Sequence, residues 1–81
     1  MSTHYSRLGI GDMIYSVNSK GFKHPFIINQ ILFSNNDIAY RNAIGTHICY
    51  EQELDKCDSE SGVYYFTSKV KRDKFIETLF L

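Results

Sequence analysis

Long apolar runs are missing from this chain. No apolar stretch exceeds three or four residues, and no positively charged start leads into an apolar segment, so neither a transmembrane helix nor a signal peptide is expected. A cytoplasmic protein with reduced thiols is the expectation, with only Cys49 and Cys57 as cysteines. Net charge is missing too: nine Lys and Arg balance nine Asp and Glu, which removes any general attraction to nucleic acid or anionic lipid. There is no Gly-x-Ser-x-Gly elbow, no glycine-rich phosphate loop and no His-Glu-x-x-His. No internal repeat, linker or low-complexity segment divides the chain. Residues 1–81 therefore read as one small domain, with enzyme activity not expected and no cofactor implied.

What the chain has is aromatic and hydrophobic material. Six Phe and six Tyr, within a 43% hydrophobic composition and without Trp, supply a modest core that needs no disulfide. Met13, Tyr15 and Val17 recur at period two behind the turn signal Gly11-Asp12, which predicts a strand. Asn18-Ser19-Lys20-Gly21 suits a tight hairpin into "FKHPFIINQILF", where Pro25 has no N–H for a ladder and confines firm pairing to the residues after it. From Phe26 to Phe33 both alternating sets are mainly apolar, as in a strand that curves and changes its buried face. Ser34-Asn35-Asn36-Asp37 is the clearest turn, "IAYRNAI" the next strand, and Gly45 separates it from "THICYEQEL". After a loop at Asp58-Ser59-Glu60-Ser61-Gly62 comes a last strand, "VYYF". Thr67 or Ser68 then caps a helix over about 68–80, with Val70, Phe75, Ile76, Leu79 and Phe80 on one stripe.

Five short antiparallel strands within 10–66 and one terminal amphipathic helix predict a mainly β fold, a small SH3-like barrel covered by the helix. An OB-fold is the second choice, since it places a helix between strands and needs more residues. Ile10-Gly11-Asp12-Met13-Ile14-Tyr15 and the aromatic-Thr step Tyr65-Phe66-Thr67-Ser68 carry a resemblance. From about residue 9 to residue 80 the chain resembles a loose group of small uncharacterised proteins from Firmicutes and their phages. The resemblance implies the SH3-like barrel with its helix and no catalytic residue. It departs from the group at the helix start, where Lys69, Val70, Lys71 and Arg72 replace acidic residues and alanines.

The stretch "THICYEQELDKCDSE" holds a histidine and both cysteines, which raises metal or redox chemistry. Zinc sites usually draw cysteines in C-x(2–4)-C pairs, whereas seven residues separate Cys49 from Cys57. His47 and Cys49 share a strand face, but two residues along a strand lie roughly 6.6–7 Å apart at the backbone. His4 and His24 would have to complete the set from unrelated segments, so no metal is expected. A Cys–His nucleophile needs direct contact and an orienting third group, which Glu51 supplies only on a strongly bulged strand.

Charge is distributed unevenly. Glu51, Glu53, Asp55, Asp58 and Glu60 against Lys56 give residues 51–60 a net of −4, while Lys69, Lys71, Arg72 and Lys74 against Asp73 give residues 69–74 a net of +3. The acidic run reads as a cover over an edge strand or as a contact surface for a basic partner. The two segments of different copies would also suit each other in a homo-oligomer, whose subunit boundary would form a pocket for a small anion. The leading expectation is a non-enzymatic module that binds another protein through Tyr40, Arg41, Tyr50, Glu51, Glu53 and Asp55, as an accessory or regulatory protein of a phage or mobile element. The competing one is a nucleic-acid-binding barrel using Lys69, Lys71, Arg72 and Lys74 with stacking tyrosines. No membrane partner is expected.

Overall fold

Residue 14 to residue 17 decide how the layers stack. In the computed structural model, which describes residues 6–34 and 36–80, strand β1 (Met13–Asn18) is buried on both faces. Ile14 and Ser16 point one way, into a cluster with Phe26, Ile28, Ile38, Tyr40, Cys49 and Leu54. Val17 points the other way, to Phe66 of the last strand and Phe75 of the helix. Alternation along one strand thus feeds two cores, and the order is helix, sheet, sheet.

The hairpin after β1 forms as its residues predict. Asn18 Oδ1 accepts the N–H groups of Lys20 and Phe22, each at 2.9 Å, and Gly21 sits at φ +87°, where a Cβ would lie 3.0 Å from the Phe80 ring. The returning chain supplies two strands rather than one. β2 (Phe26–Ile27) pairs with β1, and β3 (Gln30–Ser34) pairs with β4 (Asp37–Arg41), with a corner at Ile28-Asn29. At that corner Ile28 N–H bonds back to Asp12 O and Asn29 N–H bonds forward to Arg41 O. The single curved strand expected over 26–33 is thus divided, and its two parts belong to different sheets. Of the turn expected at Ser34-Asn35-Asn36-Asp37, Asn35 lies outside the described residues.

β5 (Ile48–Tyr50) pairs with β4, a 3₁₀ turn covers Glu51–Glu53, β6 (Val63–Phe66) pairs with β1, and α1 (Lys69–Leu79) follows. The result is two three-stranded antiparallel sheets, β2-β1-β6 and β3-β4-β5. This corrects the closed five-stranded barrel. Division of the 26–34 segment makes six strands, and between β5 and β6 the ladder is interrupted, with Leu54 alone bridging Tyr65 in parallel. Among the described residues no α-helix lies between strands, as the OB-fold alternative requires.

Helix α1 begins at Ser68, whose side chain accepts the Lys71 N–H at 3.2 Å. Its inward stripe is Arg72 and Phe75, both buried, with the partly buried Ile76 and Leu79, spaced i, i+3, i+4, i+7. Val70 and Phe80, placed on the stripe by the sequence, are instead well exposed. Ser68→Ala should cost about 1 kcal/mol by removing the cap. A melt followed by circular dichroism should then show a midpoint lower by roughly 4–8 °C; an unchanged midpoint would mean that the cap contributes nothing.

Candidate functional site

The acidic stretch that follows β5 does not hang free. Glu51 lies where the chain turns from β5 into the 3₁₀ turn, so its carboxylate reaches back under β4 and meets the buried Tyr40, whose hydroxyl donates to Glu51 Oε1. From the opposite side Arg7 donates through Nε to Glu51 Oε2 at 2.6 Å and through its backbone N–H to Oε1 at 3.2 Å. Burial alone would push the Glu51 carboxyl up, but the hydrogen bonds from Tyr40 and Arg7 outweigh it and hold the carboxyl below its ordinary value. Burial, followed by the bond to Glu51, raises the Tyr40 phenol far above its ordinary value, so it stays a donor.

Arg7 also reaches Asp55, with Nη1 3.4 Å from Oδ2. Asp55 adopts φ +59°, a left-handed conformation that Asp tolerates better than most residues, and this turn aims its carboxylate at the start of α1. There it accepts the Thr67 N–H at 2.9 Å, the Thr67 hydroxyl at 3.0 Å and Lys71 Nζ at 3.2 Å. Burial opposes its charge, yet the Thr67 and Lys71 bonds prevail and lower the carboxyl below its ordinary value. The first turn of α1 carries no acidic residue of its own, so Asp55 supplies the negative charge that a helix N-terminus favours. Arg7, Tyr40, Glu51, Asp55, Thr67 and Lys71 thus form one network joining the segment before β1, the second sheet and the helix.

Three of the sequence-predicted contact residues therefore turn inward. Tyr40 is 0% exposed and belongs to the core, because β4 alternation sends Ile38 and Tyr40 to the same inner face. Glu51 and Asp55 face the network just described, while Glu53 accepts the Tyr50 N–H at 3.0 Å and tightens the 3₁₀ turn. Arg41 and Tyr50 do come together. The cross-strand pairs Leu32↔Ala39↔Tyr50 and Arg41↔Ile48 place these five side chains on the outer face of the second sheet, away from Tyr40 and Cys49. Tyr50 is 41% exposed and Ile48 similarly so, whereas Ala39 is covered by its neighbours.

No protein-family model, curated protein or solved structure matches the chain.

Beside Tyr50 an open groove of about 770 Å³ runs along the acidic loop, with Glu53, Lys56, Glu60 and Tyr64 in its walls. A second groove, about 500 Å³, has Phe66 and Phe75 as its floor with Cys57, Lys71 and Lys74 around it. Among the residues of the nucleic-acid reading, Arg72 is withdrawn: it is 4% exposed, lies 5.4 Å from the Tyr15 ring centroid and bonds Asp73 Oδ1 at 3.0–3.1 Å. Its place on the inward stripe is the reason, since the aliphatic stem and planar head of Arg pack on an aromatic ring. Lys71 is held by Asp55, which leaves Lys69 and Lys74 exposed on the helix.

Cys49 is fully buried; burial first, then the charges of Glu53 and Glu51, push its thiol far above its ordinary value. Among the described residues no three His, Cys, Asp or Glu side chains are arranged to hold a metal ion. His47 packs against the Phe26 ring at 5.3 Å and hydrogen-bonds with Asn42, while His4 lies outside the described residues. Among the described residues no helix is long and apolar enough to cross a membrane. Arg7 and Thr67 escaped the sequence reading; Arg7 stands in a polar lead without periodicity, and Thr67 shows only as an alternative cap.

Proposed function

We propose that the protein is a non-enzymatic interaction module, an open relative of SH3-like barrels with a C-terminal helix. It acts in the cytoplasm as an accessory or regulatory protein of a phage or mobile element by binding a host protein. One observation carries this reading: Leu32, Ala39, Arg41, Ile48 and Tyr50 share the outer face of the second sheet, where Ile48 and Tyr50 stand 40% and 41% exposed. An exposed tyrosine and an arginine flanked by aliphatic side chains are the composition of an interface centre rather than of an ordinary solvated face. The acidic groove beside Tyr50 extends that face and favours a partner with basic residues at its rim.

The nucleic-acid alternative draws less support, because one of its four basic side chains is buried and another is neutralised by Asp55. An electrostatic contact of the kind considered for a homo-oligomer, acidic stretch to basic helix, forms here within one chain at Asp55–Lys71.

Affinity capture from the native host, with cross-linking, should retain a protein that Tyr50→Ala and Arg41→Ala each release. A loss of about tenfold or more in affinity is expected for each, the size typical of interface centres. No retained protein, or one held equally by both variants, would overturn the reading.

A further inference from the structure

Four strands stand at the margins of the two sheets, and three of them are protected against pairing with another chain. β6 is bridged by Leu54 at Tyr65, and Asp55 N–H bonds the Tyr65 carbonyl at 2.7 Å. β5 is three residues long and runs straight into Glu51 and Glu53. β2 is two residues long and follows Pro25, with Lys23 just before it. Short length, charge and proline are the usual means by which edge strands avoid adding a partner.

β3 has none of these. It spans five residues, Gln30–Ser34, and the whole run from Phe26 to Ser34 contains no charged side chain. Among the described residues it pairs on one side only, with β4. Phe33, on the same face as Ile38, remains 58% exposed at its end.

We infer that β3 is the contact by which two copies of this chain form a dimer, through antiparallel β3–β3 pairing about a two-fold axis at Leu32. The pattern Gln-Ile-Leu-Phe-Ser is self-complementary in that register. Leu32 meets Leu32, Ile31 meets Phe33, and Gln30 meets Ser34, so every apolar side chain faces an apolar one and no charge enters the contact. Directly opposed residues of an antiparallel pair project to the same face. The Leu32-Ala39-Tyr50 rows of both copies would then join as one outer surface on a six-stranded sheet. This assignment stands apart from the host-protein reading, since it concerns the strand's edge and needs no other molecule.

Sedimentation of the purified chain from about 1 to about 200 µM should show a monomer passing to a dimer, as a micromolar Kd requires. Phe33→Lys, at a position already more than half exposed, should weaken the dimer at least tenfold by setting a lysine against Ile31 of each partner. In the unaltered protein, amide exchange at residues 30–34 should slow as concentration rises. In a Cys57→Ser background, Leu32→Cys should oxidise to a cross-linked dimer, because opposed Cα atoms about 4.5–5.5 Å apart suit a disulfide. Ile44→Cys, on an exposed loop, should not. A monomer at every concentration would overturn the inference. So would a dimer indifferent to Phe33→Lys, or equal cross-linking from Leu32 and Ile44.

Discussion

Tyr40→Ala should remove a large share of this protein's stability and bring it close to unfolding at ambient temperature. The side chain is wholly buried in the larger cluster, which it shares with Ile14, Phe26, Ile28, Ile38, Cys49 and Leu54. Truncating a core aromatic costs about 3–5 kcal/mol, through lost transfer energy and the cavity left behind. A domain of 81 residues commands only about 4–12 kcal/mol in all, and small domains fall toward the lower end. Tyr40→Phe separates the two roles of the residue. It keeps the ring and removes the hydroxyl that donates to Glu51, leaving that half-buried carboxylate to Arg7. A loss of about 1–2 kcal/mol is expected for one charge-assisted bond. Urea unfolding followed by far-ultraviolet circular dichroism gives both numbers, and a Tyr40→Ala midpoint close to that of Tyr40→Phe would refute the placement of this ring in the core.

That ring also marks where reading the sequence succeeds and where it stops. Strand positions follow from local signals: the period-two run at 13–17, the Asn-Ser-Lys-Gly hairpin at 18–21, "VYYF" and the cap at Ser68 are all decided by residues within a few positions of one another. The corner at Ile28-Asn29 was visible as a strand apolar on both faces, but whether such a strand closes a barrel or passes from one sheet to another depends on pairing with residues far along the chain. Burial of Tyr40 and Arg72 is likewise tertiary. Tyrosine and arginine each combine an apolar body with a polar tip, so composition assigns them equally well to surface or interior. Arg41 and Tyr50, proposed as contacts, share a face only because β4 and β5 pair in the register Ala39↔Tyr50 and Arg41↔Ile48. The polar network was hidden for a related reason, since Arg7 lies 44 residues from Glu51 and 48 from Asp55 in the chain.

The bridge from that network to the helix gives the second large effect. Asp55 holds a left-handed backbone, two bonds to Thr67 and an ion pair with Lys71 while sitting mostly out of solvent. Asp55→Ala should cost about 3 kcal/mol, combining roughly 1–2 kcal/mol of backbone strain with the hydrogen bonds lost at the helix start. Asp55→Asn should cost less, since Asn accepts the same backbone conformation and retains an acceptor for the Thr67 N–H. The two variants also divide in their response to acid. Asp55 and Glu51 both have carboxyls lowered in the folded protein, so the stability they contribute is fully present above the ordinary carboxylate range and is lost as pH falls through their folded values. Urea midpoints measured between about pH 7 and about pH 2 should fall steeply below about pH 4 in the unaltered protein, and the fall should be shallower in Asp55→Asn. Identical acid limbs would show that Asp55 carries no linked proton, and that the helix is held by its apolar stripe without help from the charge beneath its first turn.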